Sequence, residues 1–304
     1  MIKLEKVRDL DIDVGSASRS LHLSAASGLQ CLGAALYVIA DDELHLGVFP
    51  VAGSGRGRLI RLFDGELPET KGDRKKRKPD LEALTVLPPF CDLSYGALFA
   101  IGSGSRPNRK KGVLLGLDAQ GAISTLPKNV DLSFILDPLA GEFGELNIEG
   151  AVVVGEELRL LQRGNKRRND NAIARYPLRA VLNALSNDQV DPLGPSAVDR
   201  FDLGAIQGTP FGFTDAAALP NGDMVFSAVA ENTENAYLDG PCLGAGIGIV
   251  DERGILVAFD LLEYPHKIEG ILATEGDRVV ELLLVTDADN PDIPAGLFST
   301  QIAR

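Results

Sequence analysis

Asn147-Ile148-Glu149-Gly150-Ala151 and Lys267-Ile268-Glu269-Gly270-Ile271 each set a carboxylate before a small residue at the head of an apolar run. Asp80-Leu81-Glu82-Ala83-Leu84 and Thr214-Asp215-Ala216-Ala217 read the same way, and Ala26-Ser27-Gly28-Leu29 is a fifth copy without the acid. From Ser27 through Glu82, Glu149, Asp215 and Glu269 the spacings are 55, 67, 66 and 54 residues. Self-similarity at such a period marks a repeat architecture.

Aligned on this phrase, each repeat yields the same elements. The innermost strands are expected at residues 29–32, 84–87, 151–154, 216–219 and 271–274. A second, strongly apolar set falls at 35–40, 97–101, 158–162, 224–229 and 280–286, and a third at 44–49, 112–117, 172–176, 246–250 and 296–302. All are short, rich in Val, Ile, Leu and Phe, and bounded by Gly, Asp, Asn or Pro, as strands are. Alternating, more polar fourth strands are expected at 58–63, 122–126, 197–203 and 255–262. The last repeat ends without one, and residues 2–10 (IKLEKVRDL) have the same alternation. The fold class is therefore all-β: a single-domain, five-bladed β-propeller closed by the N-terminal strand, which leaves only short protected edges. Its blades span about 24–63, 80–126, 147–203, 214–262 and 267–304 plus 2–11. Residues 127–146 are where a sixth blade would hide. Helical spacing appears at 178–187 (LRAVLNALSN), read as a surface insertion, and 133–143 (SFILDPLAGEF) reads as a short helix leading into Glu149.

Composition narrows the function. The 304 residues are 45% apolar and 24% charged, ordinary for a globular chain. No apolar stretch approaches the roughly 18 residues of a membrane span, and the N-terminus has no signal-peptide core. Three scattered cysteines lack zinc or disulfide spacing, so a reducing, cytoplasmic setting is expected. A net charge of −13 argues against nucleic-acid binding. Yet residues 71–78, 106–111 and 163–168 hold 14 of the 30 Lys and Arg residues against one acid, Asp73. All three windows belong to the face that carries the acidic phrases, so they would steer a small anionic ligand toward the channel.

On that face the acids would meet the loops 41–42, 103–111, 163–171, 231–244 and 287–294, all polar. Clustered carboxylates raise one another's pKa unless a cation neutralises them. A hard cation such as Ca²⁺ suits a ring of carboxylates, amide oxygens and water, with Glu82, Glu149, Asp215 and Glu269 as metal ligands. Glu149 and Glu269 are the candidate catalytic groups, and Arg163, Asn165 and Lys267 the candidate substrate-binding ones. The competing reading is that these acids cap inner-strand amides or pair with Lys267 and Arg163. His266 is the one histidine near a phrase. Residues 287–292 (DADNPD) begin like a calcium loop but lack its sixth-position Gly and twelfth-position Glu. Residues 244–248 (GAGIG) lack the spacing and context of a dinucleotide site, so no nucleotide cofactor is expected.

The phrases at 80–82, 147–150 and 267–270, with Leu161-Gln162-Arg163-Gly164-Asn165, resemble the "EG" strand starts of bacterial phytase-like, SdiA-regulated and gluconolactonase-type propellers. That resemblance implies a polar, calcium-binding top face and, in some relatives, ester or lactone hydrolysis. The chain departs from it in its five blades, in Ser27 and in lacking an export signal. Together these readings point to a metal-assisted hydrolase of a small anionic ester, lactone or phosphoester. The alternative is a non-catalytic propeller that binds a ligand or protein through structural carboxylates.

Overall fold

A computed structural model describes residues 1–13, 15, 21–187, 191–233 and 240–303. Part of the 231–244 loop, residues 234–239, thus lies outside the described residues. Five four-stranded antiparallel sheets follow one another around an axis. Their inner strands are Ala26–Leu32, Leu81–Leu87, Ile148–Val154, Gly212–Ala218 and Ile268–Glu275. In the fifth blade the N-terminal strand Glu5–Asp9 pairs with Gly296–Ala303, Glu5 opposite Ser299 and Asp9 opposite Gly296. The ring is closed by its own N-terminus, and the fold is the five-bladed propeller that the repeats imply.

Between successive blades lie five apolar clusters, one per interface. The largest, between blades 2 and 3, is thickened by two helices, Ser133–Ala140 and Leu178–Asn187, which contribute Ile135, Leu136 and Val181. Residues 127–146 therefore hold no sixth blade. They supply the last strand of blade 2 and the first of these helices.

That last strand corrects one expectation. The fourth strand of blade 2 is Lys128–Asp131, not residues 122–126. The earlier segment is held in a turn because the Asp118 carboxylate accepts hydrogen bonds from the backbone N–H of Gln120 and Ala122. Alternation of side chains is common to a strand and to such a tight return, so it does not separate them.

The register explains the repeated phrase. In blade 3, Ile148 pairs with Gln162 and Gly150 with Leu161, leaving Glu149 as an extra, bulged residue. The same bulge falls on Ser27, Glu82 and Glu269 in blades 1, 2 and 5. A bulge re-aims its unpaired residue away from the ladder, here into the channel. The small residue that follows has its own cause. A Cβ on Gly150 would stand 2.9 Å from the Asp215 Cα, and one on Gly270 3.1 Å from the Gly28 Cα. Neighbouring inner strands approach that closely only where a side chain is missing.

Blade 4 is out of phase with the phrase. Phe213 pairs with Ala228 and Asp215 with Ser227, so the bulge is Thr214. Thr214 is fully buried, its hydroxyl 2.8 Å from that of Ser227. Asp215 instead occupies the position that is small elsewhere.

Candidate functional site

Where the inner strands converge, a cavity of about 80 Å³ opens on the axis. Three of the bulged residues, Glu82, Glu149 and Glu269, line it together with Ser27. Around them stand Asp41, Asp80, Glu231 and Asp287, for seven lining carboxylates in all. Five cations face them: Lys75, Lys78, Arg109, Arg163 and Lys267. The lining acids thus outnumber the lining cations by two.

Arg163 is the hub of one half. Its guanidinium lies 3.2 Å from Glu149, 2.6 Å from Glu231 and 3.7 Å from Glu269. The other Glu149 oxygen accepts from the Asn147 amide at 2.5 Å. Lys267 lies 3.5 Å from Glu269, 3.3 Å from Asp287 and 2.7 Å from Asp289. Burial alone would lower the pKa values of Arg163 and Lys267, but these acids outweigh it and hold both well above their ordinary values. Both cations are the internal counterions of the acids, which leaves little of either for a substrate anion.

The second half centres on Asp80, a non-glycine residue at φ 58°. Aspartate tolerates this left-handed conformation better than most residues. It brings the carboxylate 2.7 Å from Arg109, 2.8 Å from Lys78 and 2.5 Å from the Ser103 hydroxyl. Lys78 also bonds Asp41. Lys78 ends the short helix Lys71–Arg77, whose N-cap is Thr70. Residues 71–78 are therefore an ordered wall of the site. The first basic window sends Lys75 and Lys78 inward, the second Arg109 and the third Arg163, while Lys76, Arg77, Lys111 and Arg167 remain exposed.

Glu82 differs from the rest. It lines the cavity but makes no hydrogen bond or ion pair with the described residues. Burial pushes its pKa well up, and Asp80 and Asp41 add to the shift. Glu149 is raised by burial, opposed by Arg163 and Lys267. Burial likewise takes Glu269 to about 8 and Asp287 to about 7, despite Lys267. A cavity whose acids hold protons this tightly is short of positive charge.

Several expected site residues fall elsewhere. Asp215 does not line the cavity. One of its oxygens accepts from the Ile271 backbone N–H at 3.0 Å and ties blade 4 to blade 5, while the other has no partner among the described residues. Burial raises its pKa well above its ordinary value, against the pull of the backbone hydrogen bonds it accepts. Asp215→Asn is accordingly expected to keep stability within about 1 kcal/mol, whereas Asp215→Ala, which orphans the Ile271 N–H, costs about 1–3 kcal/mol in urea unfolding. Asn165 lines the cavity, but its amide is spent on Glu145 and on the Arg167 and Arg168 N–H groups, which shape the loop. His266 packs 4.8 Å from Phe298, outside the cavity lining. Asp287 and Asp289 serve Lys267. The sequence reading missed Asp41, Asp80, Lys78, Arg109 and Glu231 as site residues.

One cluster offers ligand atoms to a cation. Single carboxylate oxygens of Asp41, Asp80 and Glu82 all lie within 4.8 Å of one another. The donor set is hard and oxygen-only, as Ca²⁺ and Mg²⁺ require. The two acids in excess, once ionised, match one divalent ion, and Glu82 is the oxygen donor that no hydrogen bond or ion pair among the described residues engages. Lys78 already touches Asp41 and Asp80, so an ion would share those two with its ammonium.

The fold and this axial acid–base cavity define the class: a five-bladed β-propeller with a polar channel site. Within it, the chain belongs to a family of unknown function, DUF6929, whose model matches residues 22–302. No curated protein matches the chain by sequence. Among solved structures it is similar to a "putative glycoside hydrolase" of Parabacteroides distasonis, at 11% identity over 99% of this chain and 97% of that one, with a TM-score of 0.51. A luciferin-regenerating enzyme is similar at 11% identity over 98% and 94% of the two chains, TM-score 0.48. A "putative gluconolactonase" matches at 11% over 99% and 98%, TM-score 0.40. At such identities the likeness extends to the propeller fold alone. No helix among the described residues is long and apolar enough to cross a membrane.

Proposed function

We propose that the chain is a hydrolase of a small ester, lactone or phosphoester, acting in the axial cavity with a divalent cation held by Asp41, Asp80 and Glu82. The observation that carries this reading is Glu82: a carboxylate with no hydrogen bond or ion pair among the described residues, on the wall of a cavity whose acids outnumber its cations by two. A divalent ion there supplies Lewis acidity toward a carbonyl or phosphoryl oxygen.

The chain's own residues supply proton transfer and orientation. Glu269, with its pKa near 8, holds a proton at neutral pH and is placed to give it to a leaving oxygen. Glu149 accepts hydrogen bonds at both oxygens and is the group to take a proton from water. Arg163 bridges the two and fixes their separation, so it is a positioning residue. A volume of about 80 Å³ admits two or three waters or one functional group, at roughly 30 Å³ per water. Only the reacting end of a substrate fits on the axis.

A screen of p-nitrophenyl esters, p-nitrophenyl phosphate and lactones, with Ca²⁺ and with EDTA, tests the proposal. Expected is turnover that EDTA abolishes and that Glu82→Gln lowers by about 100-fold, the scale of a lost charge-stabilising group. Turnover indifferent to EDTA and to Glu82→Gln would remove the metal and Glu82 from the mechanism. The second reading, a non-catalytic binding propeller, draws on the engagement of Arg163 and Lys267 by structural partners. Calcium binding without turnover of any of these substrates would favour it.

A further inference from the structure

Beside the axial cavity lies a second, of about 340 Å³, on the rim between the helix Lys71–Arg77 and the 287–291 loop. The two cavities share Asp41, Lys75, Lys78 and Asp287 as lining residues, so they adjoin. At this size the rim cavity falls in the range of small-molecule sites, roughly 300–1,000 Å³.

Its cations come from one element. The helix and its C-cap contribute Lys71, Arg74, Lys75 and Lys78, with Glu69 just before the N-cap. The blade 1 loop contributes Asp41, Asp42 and Glu43, and the blade 5 loop Asp287 and Asp289. Ala25 and Pro291 are the only apolar residues in the lining. Arg74 crosses to Glu43 at 2.9 Å and to Asp42 at 3.5 Å, which braces the helix against blade 1. Even so, one Asp42 oxygen has no partner among the described residues. The six acids of the lining outnumber its four cations although a cationic helix stands beside them.

A purely anionic ligand would meet the helix well but bring a like charge to six carboxylates. A purely cationic one would do the reverse. An apolar body would leave the charged groups of both walls without a partner. We infer that the rim cavity binds a small zwitterion, its ammonium end toward the Asp42 and Asp287–Asp289 carboxylates and its carboxylate end toward Lys71 and Lys75 of the helix. In a substrate the same body would stay on the rim while the scissile group reaches the axis, an extension that rests on the hydrolase reading. Binding itself does not depend on that reading.

Calorimetric titration of 4-aminobutanoate, butylamine and butanoate into the full chain tests this, with Lys71→Gln and Asp289→Asn as variants and Glu82→Gln as a further protein. Expected is binding of 4-aminobutanoate at least about tenfold tighter than either single-charge analogue, weakened about fivefold by each rim variant and retained in Glu82→Gln. Equal affinities for the three compounds, or no binding of 4-aminobutanoate, would overturn the inference. So would rim variants that bind it as the wild type does. Loss of hydrolysis in Glu82→Gln with amino-acid binding intact bears on the axial chemistry alone. Hydrolysis that proceeds while 4-aminobutanoate fails to bind bears on the rim alone.

Discussion

Replacing Arg163 with alanine is expected to cost about 3–5 kcal/mol of folding stability at neutral pH, the penalty for stripping a buried cation from its acids. The side chain is only 10% exposed and stands among Glu149, Glu231 and Glu269. Without it three carboxylates share one small space with Lys267 as their nearest remaining cation. The deficit should depend on pH, with a definite sign. Glu269 already holds its proton more tightly in the fold than its ordinary 4.5, up to about 8. An acid raised in this way contributes stability below about 4.5, and the contribution is lost as pH rises through about 8. Removing Arg163 raises the carboxyls further, so the variant suffers most at alkaline pH and recovers toward the wild type in mild acid. Urea unfolding at pH 5 and pH 8 reads this directly. A deficit of equal size at both would show that packing, not charge, is what Arg163 provides.

Deleting residues 1–9 is the second large effect. The strand Glu5–Asp9 completes the fifth sheet, and without it Gly296–Ala303 becomes an open edge. The backbone bond from Ile2 to Leu261, which ties the fourth blade to the closure, is lost as well. About five ladder hydrogen bonds at roughly 1 kcal/mol each give a loss of about 5 kcal/mol, or about 8 °C in Tm for a domain of this size. The exposed edge should also promote association. A truncated chain that melts within about 3 °C of the intact one and stays monomeric would mean that the ring does not depend on its closure.

Much of this architecture is legible in the sequence because each blade spells out its own constraints. The acid–small pairs are conspicuous since a bulge and a close strand approach fall on adjacent residues, as at Glu149-Gly150 and Glu269-Gly270. The same clue misleads in blade 4. Residue type points to Asp215, but register is set by pairing with Ser227 and places the bulge one residue earlier, at Thr214. With a side-chain period of two, that single step turns an axial ligand into a buried link between blades. Pairing across the channel is illegible for a different reason. Arg163 meets Glu231 across 68 residues, and Lys78 meets Asp41 across 37. Nothing within a run such as Lys71–Arg77 marks which of its neighbours turns inward. In blade 2 the Asp118 turn mimics strand alternation, so the residues that alternate are not the ones that pair.

The central claim is that the acid excess at Asp41, Asp80 and Glu82 is a cation site. Calorimetric titration of Ca²⁺ into metal-stripped wild type and into Glu82→Gln tests it most directly. The account predicts one equivalent bound by the wild type and affinity at least about tenfold weaker in Glu82→Gln, a difference of about 1.4 kcal/mol. Equal binding by the two proteins, or none by the wild type, would contradict it.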